Sequence, residues 1–311
     1  MLTNLNICDI ILLLIKKKVY FMKNIFDCIS EKELSNLIGE SVKTQVVSEN
    51  GNSYTCVIND VHIIKVPFNK KTAISLRREI NLANILQKCV LPAQTPAWRY
   101  VDLSHTSQEP LSKYAAFCAV APMITGCSPA TVNTPELMTD LGRFLAVLHK
   151  VPATTFHGVQ TYIDIHFNHM IKTWEKQERH KTVEVSRWKH FKKYLKNTCL
   201  KRANDVYRNS VSPVLTHADL HERNVLVDER GRLKAVLDFG NAILTPEPQD
   251  ILFPLNGITR QSVLLNAYQA YLGRRADEPD KSQKTWQLIS KMDVQAERIL
   301  DKFLTQEKQR G

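Results

Sequence analysis

Three oxygen-bearing side chains in one short stretch stand at a spacing that can do chemistry. In "VLTHADLHERNVLVDERGRLKAVLDFGNA", Val214–Ala242, His217-x-Asp219 is followed by Asn224 and then by Asp238-Phe239-Gly240. A carboxylate on a loop can orient an attacking hydroxyl and accept its proton. An amide oxygen and a second carboxylate are hard ligands of the kind that hold Mg²⁺ against phosphates. Phosphoryl transfer from ATP needs both functions. The spacing therefore points to Asp219 as base and to Asn224 and Asp238 as metal ligands. Singly, Asp219 and Asn224 would be read as Asx-turn residues. Asp238 at matching distance argues otherwise.

These residues need elements to bring them together. Val225–Val227 and Leu233–Leu237 read as two short strands around an Asp228–Gly231 turn, which would set Asn224 and Asp238 a hairpin's width apart. Upstream, "VHIIKVP" places Lys65 in a half-buried strand, where a lysine destabilises unless paired; Glu79 on the following helix is the natural partner. The Ser48–Tyr54 turn, with Gly51 and Ser53, could lay backbone N–H groups over phosphates. Residues 42–67 are strand-like. A helix is predicted over 69–89 with Ile74, Ile80, Ala83 and Leu86 near one face, then strands over Trp98–Leu103 and Ala115–Ile124. Beyond Gly126 the pattern turns helical. Pro135 opens a helix with an apolar stripe of Leu137, Leu141, Phe144, Leu145 and Leu148.

Composition narrows the classes. The 311 residues carry 42 Lys and Arg against 31 Asp and Glu, a formal charge of +11, with 43% hydrophobic residues. That is enough chain for two ordinary domains of globular composition. The ten glycines include no G-x-G-x-x-G or P-loop spacing. Seven cysteines lie far apart with no C-x-x-C pair, which suggests reduced thiols in a cytoplasmic setting. The apolar run Ile7–Ile15 is too short to span a bilayer, so no membrane span is expected and residues 1–21 are read as an extension. Residues 166–208 hold twelve Lys and Arg against four Asp and Glu, punctuated by Trp174, Trp188, Phe191, Tyr194 and Leu195. They are read as solvated faces of packed helices, with an electrostatic surface for an anionic partner as the alternative, and with no nucleic-acid motif a nucleic-acid partner is not expected. His166-x-x-His169 lacks a third ligand, and His149 is read as serving its helix end. Thr245-Pro246-Glu247 follows Gly240 too closely for an activation segment and is read as a turn.

Taken together, "IIKVP", "RREINLANIL", "MITG", "LGRFLAVLHKVP", "THADLHERNVLVD" and "VLDFGNA" resemble the aminoglycoside phosphotransferase family, related to choline kinase-type small-molecule kinases. The resemblance covers roughly residues 36–275. It implies an α+β, two-lobed protein-kinase-like fold. A strand-rich N-lobe would occupy 22–125, and a larger helical C-lobe with the catalytic loop and metal site 126–311. By resemblance, Lys65 grips the α- and β-phosphates of ATP, or of GTP in its place, and Glu79 holds Lys65. Asp219 is the base, and Asn224 and Asp238 bind Mg²⁺. The stretch before Gly126 is the adenine hinge, with Pro122 giving its carbonyl and Ile124 its N–H. The implied activity is transfer of the γ-phosphate to a hydroxyl of a small molecule. A metabolite kinase of choline or homoserine type and an inactive nucleotide-binding pseudokinase are the alternatives, and the missing glycine triad disfavours a protein kinase. A polycationic acceptor would want acidic groups, for which Glu247, Asp250, Asp277, Glu278 and Asp280 are candidates. Two departures stand out: Ala218 where the family often has Gly, and Glu222-Arg223 where it often has a Pro-Gly pair.

Overall fold

The computed structural model describes residues 31–42, 45–50, 53–67, 69–103, 117–129, 134–177, 179–181, 183–246, 261–272 and 281–309. The Ile7–Ile15 run and the five acidic candidates lie outside them. The chain divides into two compact units. One runs to Gln87 and resumes over Thr95–Thr125; the other takes Lys88–Gln94 and the chain from Gly126 on. Residues 88–94 thus part from the strand-rich segment in which the sequence reading placed them. The reason is local: Gln94 N–H donates to the Lys234 carbonyl (2.9 Å) and its own carbonyl accepts from Val236 N–H (3.0 Å).

The first unit holds α1 (Glu31–Ile38), strands β1 (Gln45–Asn50), β2 (Ser53–Ile58) and β3 (His62–Val66), α2 (Lys70–Leu86), β4 (Arg99–Asp102) and β5 (Phe117–Pro122). The strands form one antiparallel sheet in the order β1-β2-β3-β5-β4. Side chains alternate across a strand, so β5 feeds two cores. Cys118 and Val120 join Cys56, Ile58, Ile64 and Val66 on one face. Phe117, Ala119 and Ala121 join Leu76, Ile80, Ala83 and Trp98 on the other. Each large apolar side chain so buried contributes about 1.5–3 kcal/mol. The α2 start is fixed by a capping box in which Asn69 accepts from Thr72 N–H and Thr72 Oγ1 accepts from Asn69 N–H. Its buried stripe includes Leu76, Glu79, Ile80, Ala83 and Leu86. Ile74, expected on that stripe, is 44% exposed. Six residues before Ile80 is about 240° around the helix, which puts Ile74 on the far side.

The second unit holds α3 (Pro135–Lys150), α4 (Tyr162–Lys176), a long helix over 185–211, strands β6 (Val214–Thr216), β7 (Val225–Val227), β8 (Leu233–Val236) and β9 (Ile243–Thr245), and helices α7 (Gln261–Leu272) and α8 (Lys281–Lys308). The α3 stripe is buried as expected. Its Gly142 lets α7 approach, for an added Cβ would stand 2.6 Å from the Leu264 carbonyl oxygen. His149 does more than serve its helix end. It is buried, and its Nδ1 meets the Tyr268 hydroxyl of α7 at 2.9 Å. β7 pairs with β8 and β6 with β9, both antiparallel. Thr245, read as part of a turn, ends β9 and is buried.

The long helix has an unusual repeat. Segments α5 (Val185–Leu195) and α6 (Lys201–Val206) are each followed by a π-helical turn, Lys196–Leu200 and Tyr207–Val211. The buried side chains Phe191, Leu195, Cys199, Ala203, Tyr207 and Val211 recur every four residues. An unbroken α-helix, at 3.6 residues per turn, would rotate that row about 40° further at each step. The wider π turns take up the drift, so the row stays in one line.

Candidate active site

The loop that carries Asp219 leaves β6 at His217. This histidine is 1% exposed and its ring packs on Phe239 at 4.6 Å. Its Nε2–H donates to the Leu237 carbonyl (2.7 Å), while its Nδ1 lies 3.3 Å from Asp219 N–H and accepts from it. A neutral imidazole offers one donor and one acceptor, so this pair of bonds assigns the Nε2–H tautomer. One buried ring thus ties the Asp219 loop to the segment that leads into Asp238. Ala218 between them takes the left-handed conformation, φ +62°. That is where the family often has glycine, and it is a strained setting for a residue with a Cβ.

Asp219 presents a carboxylate that is 41% exposed. Its Oδ2 accepts from Asn241 Nδ2 at 3.1 Å, and its Oδ1 lies 3.8 Å from His221 Nε2. Asn224 is nearly buried and closes a short 3-10 turn, Glu222–Asn224, before β7. Its Nδ2 donates to the Asp219 carbonyl (2.9 Å), which fixes the amide's orientation. Its Oδ1 therefore has no protein donor among the described residues. Across the hairpin, Leu237 N–H donates to the Asn224 carbonyl (2.8 Å), so Asp238 is the next residue along from the one facing Asn224. Asp238 itself sits at φ +60°, a left-handed kink between β8 and the turn Phe239–Asn241. Among the described residues no group of three or more His, Cys, Asp or Glu could hold a metal by itself. One amide oxygen and one carboxylate suit a magnesium ion that completes its shell with phosphates and water. The two residues fit that group.

In the first unit, Lys65 and Glu79 meet as the sequence predicts. Lys65 Nζ lies 2.9 Å and 3.0 Å from the two Glu79 carboxylate oxygens. Trp98 was missed by sequence reasoning. Its Nε1–H donates to Glu79 Oε1 at 2.9 Å, and Lys65 Nζ lies 4.9 Å from its ring centre. The signal was available: an indole directly after Pro96-Ala97, at the mouth of an edge strand. Asn241 and His221 were missed as neighbours of Asp219 because spacing alone does not show which loop residues fold back. Ser53 opens β2 opposite Asn50; Gly51 and Asn52 of that turn lie outside the described residues. Pro122 ends β5 opposite His62. Met123 N–H donates to the Val61 carbonyl, which makes the His62–Pro122 pair a non-hydrogen-bonded one. The missing proline N–H therefore leaves no gap in the ladder, and the Pro122 carbonyl turns away from β3. Ile124 N–H makes no hydrogen bond within the described residues.

The His166-x-x-His169 pair gains no third ligand among the described residues. His166 Nε2 is engaged by Asp293 of α8 at 3.0 Å. No helix among the described residues is long and apolar enough to cross a membrane.

The fold is shared with solved phosphotransferases. The streptomycin–ATP ternary complex of APH(2")-IIa superposes with a TM-score of 0.51 at 19% identity, over 87% of this chain and 94% of that one. The GDP complex of wild-type aminoglycoside 2'-phosphotransferase-IIIa gives 0.53 at 17% identity, over 92% and 98%. The ADP-bound aminoglycoside phosphotransferase APH(2'')-Ib gives 0.51 at 18%, over 88% and 95%. At such identities the likeness is one of fold: α+β, kinase-like, with a strand-rich and a helical part. No curated protein matches the sequence. The sequence model of the phosphotransferase enzyme family (APH) matches residues 45–283, most of the chain. That match spans Lys65, Glu79, Asp219, Asn224 and Asp238, and by it the chain belongs to the phosphotransferase enzyme family.

Proposed function

We propose that the chain transfers the γ-phosphate of ATP to a hydroxyl of a small molecule of the aminoglycoside type, in a cytoplasmic setting. The observation that carries this reading is the fixed Asn224 amide. Its Nδ2 is committed to the Asp219 carbonyl, its Oδ1 is left for a cation, and Asp238 follows the residue that faces it across the hairpin. Asn224 and Asp238 would hold magnesium, which supplies positive charge to the phosphates. Lys65, steadied by Glu79 and Trp98, would hold the α- and β-phosphates. The turn at Ser53 would cover them, and the Pro122 carbonyl and Ile124 N–H would take the adenine edge. ATP is the expected donor, with GTP as a substitute. Asp219 would orient the acceptor. As the hydroxyl oxygen bonds to the γ-phosphorus, its proton passes to the Asp219 carboxylate and the bridging oxygen leaves with ADP. With Asn241 on Asp219 Oδ2, Oδ1, which has His221 Nε2 3.8 Å away, would be the oxygen that meets the acceptor hydroxyl.

The test begins with ADP release by purified protein and Mg-ATP against aminoglycosides, choline, ethanolamine, homoserine and sugars. With the active acceptor in hand, Asp219→Asn should lower turnover by roughly two to four orders of magnitude while ATP affinity changes little. Near-normal turnover would show this carboxylate to be structural. Release with choline or homoserine instead of aminoglycosides would move the acceptor to the metabolite class. Tight nucleotide binding with no release from any acceptor would support a pseudokinase.

A further inference from the structure

We propose that the outward face of the long helix, over α5 and α6, is a docking surface for an anionic lipid membrane. The four-residue repeat that keeps its buried row straight does the same for its outer rows. Lys189, Lys193 and Lys201 fall in one outer row with Asn197 between them, and all four are exposed. His190, Tyr194, Arg202 and Val206 belong to the adjoining row and are exposed as well. In an unbroken α-helix these cations would spiral around the cylinder. The π turn at Lys196–Leu200 brings Lys201 and Arg202 back into line with Lys189 and Lys193.

The charge on this face is answered from within only by Asp205, against Lys189, Lys193, Lys201 and Arg202. Residues 185–204 contain no Asp or Glu. Of the acids nearby, Glu175, Glu297 and Glu307 are engaged by Lys192, Arg179 and Arg187, while Asp205, the next position of the outer row after Lys201, is exposed and offsets one of the four cations. Lys189, Lys193, Lys201 and Arg202 have no acidic partner among the described residues. The band also carries apolar tips, with Tyr194 54% and Val206 41% exposed. Cations on long stems around a tyrosine are the chemistry of a membrane interface. A single-stranded nucleic acid would want several exposed aromatic rings on which bases stack. Here Trp188 and Phe191 are buried, and the exposed rings of this helix are Tyr194 and the smaller imidazole of His190, one turn apart. The helix buries its apolar side in its own unit, so docking would be adsorption of a finished surface and not insertion.

The test is cosedimentation of the full chain with phosphatidylcholine vesicles, with and without phosphatidylserine, over a range of salt. Binding should need phosphatidylserine and weaken as salt rises. K189E/K193E/K201E/R202E should lower the lipid partition by about a hundredfold or more, since each basic group near such a surface is worth about fivefold. The milder K189Q/K193Q/K201Q/R202Q set should act in the same direction and guards against misfolding of the first. Circular dichroism and nucleotide binding should match the parent, as all four side chains are exposed. A loss of less than tenfold in both sets would overturn the proposal, as would equal binding to vesicles without phosphatidylserine. Tighter binding to an oligonucleotide than to vesicles, lost through the same substitutions, would give the face to nucleic acid instead. None of these readouts depends on catalysis.

Discussion

Glu79→Ala gives a direct measure of how Lys65 is held. Glu79 is 4% exposed on the buried stripe of α2, and the Lys65 side chain is 14% exposed. Removing the carboxylate takes both acceptor oxygens from Lys65 Nζ and the acceptor from Trp98 Nε1–H. Breaking a buried ion pair at one partner costs about 3–5 kcal/mol, because the remaining charge is left uncompensated. An orphaned buried N–H costs about 1–3 kcal/mol. The two overlap, and Lys65 keeps both a path to solvent and the face of the indole. We therefore expect a loss of about 3–4 kcal/mol from a total stability of about 5–15 kcal/mol. Glu79→Gln keeps the oxygen shared by Trp98 and Lys65 but loses the charge and sets an amide N–H where Oε2 accepted from Lys65, so it should cost less than Ala, about half to three-quarters as much. Urea unfolding followed by tryptophan fluorescence measures both, and ATP affinity should fall in each. An Ala variant within about 1 kcal/mol of the parent, or a Gln variant as damaging as Ala, would refute the clamp.

Three further outcomes follow from the second unit. Gly142→Ala should destabilise by about 1–3 kcal/mol in thermal unfolding, because the new Cβ would meet the Leu264 carbonyl oxygen and the α7 backbone cannot yield cheaply. Ala218→Gly should raise stability by roughly 0.5–1 kcal/mol: relief of the left-handed strain outweighs the extra freedom of glycine in the unfolded chain, and a destabilised variant would contradict this. The third concerns Asp140, which accepts from Arg232 Nε at 2.6 Å and so pins α3 to the far end of the β7–β8 hairpin. Burial works to raise its carboxyl pKa, but the Arg232 hydrogen bond, Leu233 N–H and the charges of Arg232 and Arg143 together hold it below the ordinary value. A depressed folded pKa stabilises above the ordinary aspartate range and is lost as pH falls through the depressed value. Asp140→Asn should thus be less stable than the parent at pH 7, and the two melting curves should converge in acid.

How much of this the sequence could determine depends on how local each feature is. The strands over 45–66, the two long helices that open at Lys70 and Pro135, and the hairpin between Asn224 and Asp238 were legible because turn residues and apolar periods are short-range signals. Lys65 and Glu79 were legible for a related reason: a charge set in an apolar row must find a partner, and only one element was near enough in the chain. What tertiary structure decided lies where partners come from distant segments. Trp98 reaches Glu79 over 19 residues, Asn241 reaches Asp219 over 22, and His149 reaches Tyr268 over 119. Ile74 matched the composition of a core residue but not its phase, and β9 was too short to show a period. Residues 88–94 group with the helical unit, where Gln94 N–H donates to the Lys234 carbonyl and the Gln94 carbonyl accepts from Val236 N–H, and backbone groups leave no mark on the residue type. The long helix shows both sides of the division. Its row of Phe191, Leu195, Cys199, Ala203, Tyr207 and Val211 is written in the sequence, yet a repeat of four fits no regular α-helix. The π turns at Lys196–Leu200 and Tyr207–Val211, which only the folded backbone reveals, keep that row in line and align the cations on the opposite side.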